Sequence, residues 1–155
     1  MMDGQTVKDY LTNDKFASKI FRGVLPINFL PHHTVERPSS FIVNTLPINE
    51  FDEYPQGEHW IALFIPKKGP IEYFDSYGLK PLNKEIYDFI QINGKKFIRN
   101  KFKIQGFNSI NCGKYSIFYL FLRSRNIPMY RIVKFFIKYR KYNDRIIDRI
   151  FNKIK

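Results

Sequence analysis

A single cysteine is all the thiol this 155-residue chain possesses. One cysteine closes no internal disulfide, which points to a reducing compartment and makes the Cys112 thiol a question in its own right. Long apolar runs are also missing. The longest, residues 115–122 (YSIFYLFL), falls far short of the ~20 residues a membrane-spanning helix needs, and reads as a buried helix that is apolar on all sides. No signal peptide is legible, so a soluble intracellular protein without membrane contact is expected. Repeats, low-complexity tracts and linkers are absent, and the length fits one domain over residues 1–155. Tryptophan occurs once, as Trp60, but 16 Phe and 10 Tyr supply the area for an aromatic core.

Acidic residues run out part-way along the chain. Residues 1–94 hold 12 Asp/Glu against 9 Lys/Arg, and residues 95–155 hold 2 against 17, so the net charge of +12 resolves into −3 and +15. Such asymmetry suits a basic surface facing a polyanion, or a solvated face that only aids solubility.

Residues 6–11 and 16–21 read as short helices. Residues 23–40, with Pro26, Pro31 and Pro38, read as extended and irregular. Residues 41–45 (FIVNT), 59–65 (HWIALFI) and 71–75 (IEYFD) read as strands, the last two joined as a hairpin by a Pro/Gly turn. Asn83 is placed to cap a helix over residues 84–92 that Asn93-Gly94 ends. Residues 96–105 read as a fourth strand. A helix is expected from Cys112 or Gly113 to about Arg125, broken at Ile127-Pro128, with two basic amphipathic helices beyond it over residues 130–139 and 145–154. In these last helices Val133, Phe136, Ile137, Ile147 and Ile150 can face the core. The order predicts an α+β fold, a mixed or antiparallel sheet packed on a central helix.

Cys112 sits at the mouth of that helix, where N–H groups and the macrodipole favour negative charge and so a thiolate. Gly113 follows and leaves room for a substrate carbonyl to approach. The competing reading is a small cysteine packed as a hydrophobe. A nucleophilic thiolate needs a base, and the candidates are His32, His33 and His59. His59 starts an apolar strand and is well fixed for proton transfer, whereas His32 and His33 lie in a Pro-rich loop. Asp75 ends the neighbouring strand, in reach of His59 if the hairpin forms, and would hold the imidazole tautomer; it also suits plain turn-capping before Ser76-Tyr77-Gly78. Gln105, seven positions before Cys112, can offer an amide to a developing oxyanion.

Taken together, His59-Trp60, then Phe74-Asp75-Ser76-Tyr77-Gly78, then Gln105 with Ser109-x-x-Cys112-Gly113 resemble the adenovirus-type endopeptidases, the adenain-like proteases. This family has relatives in Maverick/Polinton elements and shares a clan with the SUMO-deconjugating proteases. The resemblance runs from about Phe41 to about Leu122 and leaves the C-terminal third unsupported. It implies a papain-like fold and a catalytic set of His59 as base, Asp75 as its orienter, Gln105 as oxyanion donor and Cys112 as nucleophile. It also implies that Trp60 lines a narrow channel for glycine-containing substrates; the competing reading is a core tryptophan, and one ring can serve both purposes. Thiol chemistry of this kind needs no cofactor and no metal.

Two departures stand out. Adenain has Glu where this chain has Asp75, and it takes an activating peptide through a second cysteine that this chain lacks. Adenain is stimulated by DNA. The basic residues Arg131, Lys134, Lys138, Arg140, Lys141, Arg145 and Arg149 are the corresponding candidates for non-specific DNA contact here.

The expectation is a monomeric endopeptidase that cleaves structural precursors of a virus or virus-like element after small residues, above all Gly, acting in the virion and in the host nucleus or cytoplasm. One rival is a deconjugase of a ubiquitin-like modifier. Against it stand the Gln–Cys spacing, one residue longer than is usual for deconjugases, and a chain short for a modifier-binding surface. The other rival is a catalytically inactive, basic nucleic-acid-binding module on the same fold, against which the intact four-residue set argues.

Overall fold

The computed structural model describes residues 2–45 and 59–154. Its centre is the strand Trp60–Ile65, apolar at every position and buried at every position. Side chains alternate between the two faces of a strand, so an unbroken apolar run means that both faces are covered. Trp60, Ala62 and Phe64 join one core layer, and Ile61, Leu63 and Ile65 the other.

Among the described residues five strands form one sheet: β1 (Phe21–Pro26), β2 (Ser39–Asn44), β3 (Trp60–Ile65), β4 (Ile71–Phe74) and β5 (Phe97–Arg99), in spatial order β1-β2-β3-β4-β5. β3 is antiparallel to β2 and to β4, while β1 is parallel to β2 and β5 parallel to β4. The sheet is mixed. Helix α1 (Gly4–Asn13) is capped by Asp3, whose Oδ1 accepts from the Thr6 N–H at 2.8 Å. Helix α2 (Lys84–Ile92) covers one sheet face with Ile86, Phe89 and Ile90. Helix α3 (Cys112–Ser124) lies on the other face. Behind it are α4 (Met129–Lys138) and α5 (Asn143–Lys153), which contribute Ile132, Val133, Phe136, Ile147 and Phe151.

Several expectations need correction. Phe21 opens a strand rather than closing a helix, and only Ala17–Lys19 makes a 3-10 turn; β1 occupies the start of the Pro-rich segment by pairing with β2 across a bulge between Phe21 and Gly23. The fourth sequence-read strand stops at Arg99 instead of reaching Gln105. Asn100 turns inward there and hydrogen-bonds the Asp75 backbone, and the chain then crosses over Gly78. Gly78 has φ +69°, and a Cβ on it would lie 2.5 Å from the Phe102 carbonyl carbon, so only glycine fits this crossing. Ile137 is 43% exposed instead of facing the core. Asn83 stands at the N-cap of α2, but its side chain makes no capping bond.

Among the aromatics lies a largely buried ion pair. Glu72 on β4 accepts from Arg123 Nε at 2.8 Å, from the other guanidinium arm at 3.0 Å and from the Tyr119 hydroxyl. Tyr119 stacks on Phe74 at 4.3 Å, and the guanidinium lies over Phe64. Removing one partner of a buried pair strands the other charge. Arg123→Met is therefore expected to cost about 3–5 kcal/mol, and Glu72→Leu/Tyr119→Phe/Arg123→Met to recover most of it. Urea unfolding midpoints measure both.

Candidate active site

The hairpin register sets Ala62 opposite Phe74, so that Ile61 falls opposite Asp75 and His59, two residues further along on the same strand face as Ile61, comes diagonally next to the Asp75 carboxylate. His59 Nε2 lies 2.9 Å from Asp75 Oδ1. That same oxygen accepts the Tyr77 N–H at 2.8 Å, and the Asp75 carbonyl accepts the Gly78 N–H. Turn-capping and imidazole-holding are thus one arrangement, because the turn fixes the carboxylate that meets the ring. Asn100 adds a second clamp: its Oδ1 accepts the Asp75 N–H at 2.9 Å and its Nδ2 donates to the Asp75 carbonyl at 2.5 Å.

The other ring nitrogen, His59 Nδ1, is buried and makes no hydrogen bond of good geometry. Cys112, buried at the first position of α3, is the ionisable group that joins Asp75 in acting on the ring. Burial alone would depress the imidazole pKa. The hydrogen bond that the ring donates to Asp75 and the neighbouring Cys112 outweigh that and push it up to about 9. A histidine held protonated between a carboxylate and a thiol is the electrostatic partner a thiolate requires.

Gln105 is buried and tied at both ends of its amide. Its Oε1 accepts from Ser76 Oγ at 2.5 Å, and its Nε2 donates to the Ser109 carbonyl at 2.7 Å. Its backbone N–H bonds the Ser76 carbonyl at 3.0 Å. An amide nitrogen carries two N–H groups, so one remains for an oxyanion. Trp60 is fully buried, with its indole N–H donating to the Met2 carbonyl at 3.2 Å. Gly113 is buried too: a Cβ there would lie 3.3 Å from Trp60 Cδ1 and 3.6 Å from Met2 Cβ. Both residues border the site beneath Met2 rather than on an open wall. His32 and His33 are exposed, away from this cluster, and His33 Nδ1 meets the Thr34 carbonyl. Among the described residues no group of three or more His, Cys, Asp or Glu is placed to hold a metal ion. No helix among them is long and apolar enough to cross a membrane.

No family model matches the chain. In sequence it is similar to the cysteine protease S273R of African swine fever virus, 28% identical over 141 residues, covering 82% of this chain and 49% of the viral protein. The chain thus spans about half the length of the curated relative it matches. Its fold is similar to the crystal structure of the pS273R protease of that virus, with a TM-score of 0.56 at 20% identity, covering 83% of this chain and 57% of the other. The likeness agrees with an α+β, papain-like fold built on a mixed sheet.

Three supporting residues escaped the reading of the sequence. Ser76 and Tyr77 lay inside the quoted Phe74–Gly78 stretch but carried no distinguishing signal. Ser76 steers Gln105, and the Tyr77 ring packs 5.2 Å from His59. Burial, then the electrostatic influence of the neighbouring Cys112, raises the Tyr77 phenol pKa. Asn100 was hidden in a run read as strand. The basic candidates Arg131, Lys134, Lys138, Arg140, Lys141, Arg145 and Arg149 are all exposed, on α4, the 3-10 turn Arg140–Tyr142 and α5.

Because the folded imidazole pKa lies above its ordinary 6.5, the stability linked to this proton is fully present below about pH 6.5 and is lost as pH rises through about 9. Histidine NMR should show His59 titrating near pH 9 in the wild type and well below that in Asp75→Asn.

Proposed function

We propose that the chain is a cysteine endopeptidase whose nucleophile is Cys112. The observation that carries this reading is the 2.9 Å His59–Asp75 contact, which leaves the second ring nitrogen to the thiol at the α3 N-terminus. The Cys112 thiolate adds to the scissile carbonyl carbon. The Gln105 amide and the Cys112 backbone N–H hold the oxyanion. As the C–N bond breaks, protonated His59 gives its proton to the leaving amine. Water, losing a proton to His59, then adds to the acyl-enzyme; the acid departs and the thiolate returns. Asp75 fixes the ring through its contact with Nε2.

The substrates in this reading are structural precursors of a virus or virus-like element, cut during particle maturation after small residues, above all Gly. The similarity to a viral cysteine protease supports the viral setting. The adenain-like motif order supports the small-residue preference. The exposed basic side chains of α4 and α5 support a non-specific DNA contact that would keep the enzyme on a packaged genome near its substrates.

Cys112→Ala should abolish hydrolysis of a Gly-containing peptide without changing the far-UV circular dichroism. Gln105→Ala should lower kcat by roughly 10²–10³ yet leave thiol alkylation nearly untouched, because alkylation forms no oxyanion. His59→Ala should slow both. Turnover surviving in Cys112→Ala would end the assignment. For the basic face, fluorescence titration with duplexes of unrelated sequence should show affinity that drops steeply with salt and weakens when Arg140, Lys141 and Arg145 become Ala.

A further inference from the structure

Between the proposed oxyanion donor and the proposed nucleophile runs a six-residue loop, 106–111, without helix or strand. Left to itself such a segment would blur both groups by more than catalysis tolerates. Its anchor is a carboxylate from the far end of the chain. Asp144, in the first turn of α5, accepts the Gly106 N–H on Oδ2 at 2.9 Å. Its Oδ1 accepts Ser109 Oγ at 2.7 Å and the Tyr115 hydroxyl at 3.0 Å, with Asn111 Nδ2 at 3.5 Å. One carboxylate therefore grips the start of the loop, its middle, and the first turn of α3.

From Ser109 the constraint passes in two directions. The Ser109 carbonyl receives the Gln105 amide at 2.7 Å and the Tyr77 hydroxyl at 3.3 Å. Ser109 Oγ receives the N–H of Asn111, the residue before Cys112, at 3.2 Å. Gly106 makes the approach possible, since a Cβ there would stand 2.4 Å from Asp144 Oδ2. An acidic residue serving only the helix dipole of α5 would need none of this aim. Nor is Asp144 what docks α5. Asn143 Nδ2 bonds the Ile104 and Phe136 carbonyls, Lys114 pairs with Asp148 at 2.7 Å, and Ile147 and Phe151 are buried.

We propose that Asp144 is a positioning residue of this site, holding the 106–111 loop so that the Gln105 amide and the Cys112 backbone N–H converge on one oxyanion. The inference rests on the peptidase reading and adds a residue outside the His–Asp–Gln–Cys set. Asp144 touches no reacting atom; it acts through Ser109 and Gly106.

The test compares wild type, Asp144→Ala, Ser109→Ala and the double variant. It measures peptide hydrolysis, alkylation of Cys112 by iodoacetamide and far-UV circular dichroism. Asp144→Ala should lower kcat by about 10²-fold while KM and the alkylation rate stay within about threefold of wild type. Ser109→Ala should show the same split to a smaller degree, and the double variant should be little worse than Asp144→Ala alone, because both break one chain of bonds. Should Asp144→Ala not fold, Ser109→Ala decides, since it removes one hydroxyl and leaves the carboxylate its other partners. Equal losses in kcat and alkylation, additive losses in the double variant, or kcat within about twofold of wild type would overturn the positioning role while the peptidase reading stood. A wild-type chain that is alkylated normally but hydrolyses no peptide would overturn both.

Discussion

The contact on which the rest of the molecule depends is α3 laid across β3. It buries Trp60, Ala62 and Phe64 against Tyr115, Ile117 and Tyr119, and Ser116 Oγ bonds the Trp60 carbonyl at 3.2 Å. Because β3 begins one residue after His59 and α3 begins at Cys112, the same packing that makes the core brings imidazole and thiol to one end of it. Core and chemistry are not separable here.

Much of this was legible in the sequence, and for identifiable reasons. β3 and β4 announced themselves by apolar composition and a Pro/Gly turn, so the placing of His59 beside Asp75 followed from hairpin geometry alone. The α3 boundary was legible because an apolar run of helical length began just after a polar loop. What escaped were contacts between side chains and distant backbone. Asn100 serves Asp75 across 25 residues, and Asp144 serves Gly106 across 38. Neither leaves a periodic trace, because each is a single polar residue whose partner is chosen by tertiary packing. β1 escaped for a related reason. A parallel edge strand next to prolines has no local hairpin to betray it, and its partner β2 lies beyond an irregular connection.

The C-terminal helices show the same limit from the other side. Their amphipathic pattern was readable, and Val133, Phe136 and Ile147 are buried as the pattern implies. Ile137 is not, since a helical stripe read from sequence is wider than the face a single neighbouring helix can cover. Composition described these helices only as a basic surface. It gave no sign that the same helix turns a carboxylate inward to the loop before Cys112.

The buried ion pair at the other end of α3 has a mechanical consequence. Cys112 and Arg123 are eleven residues apart, close to three full turns, so they lie on nearly the same side of the helix about 16 Å from each other. Glu72 grips Arg123 through both guanidinium arms and thereby fixes the axial setting and the rotation of the whole helix relative to the sheet. A helix transmits displacement along its length with little give, like a rod pinned at one end. An axial slip of 1 Å at the pin would arrive at the thiol as roughly the same 1 Å, an error on the order of what separates a productive attack distance from a hundredfold slower one. The tolerance on the sulfur is thus held by an acid and a base that never meet it.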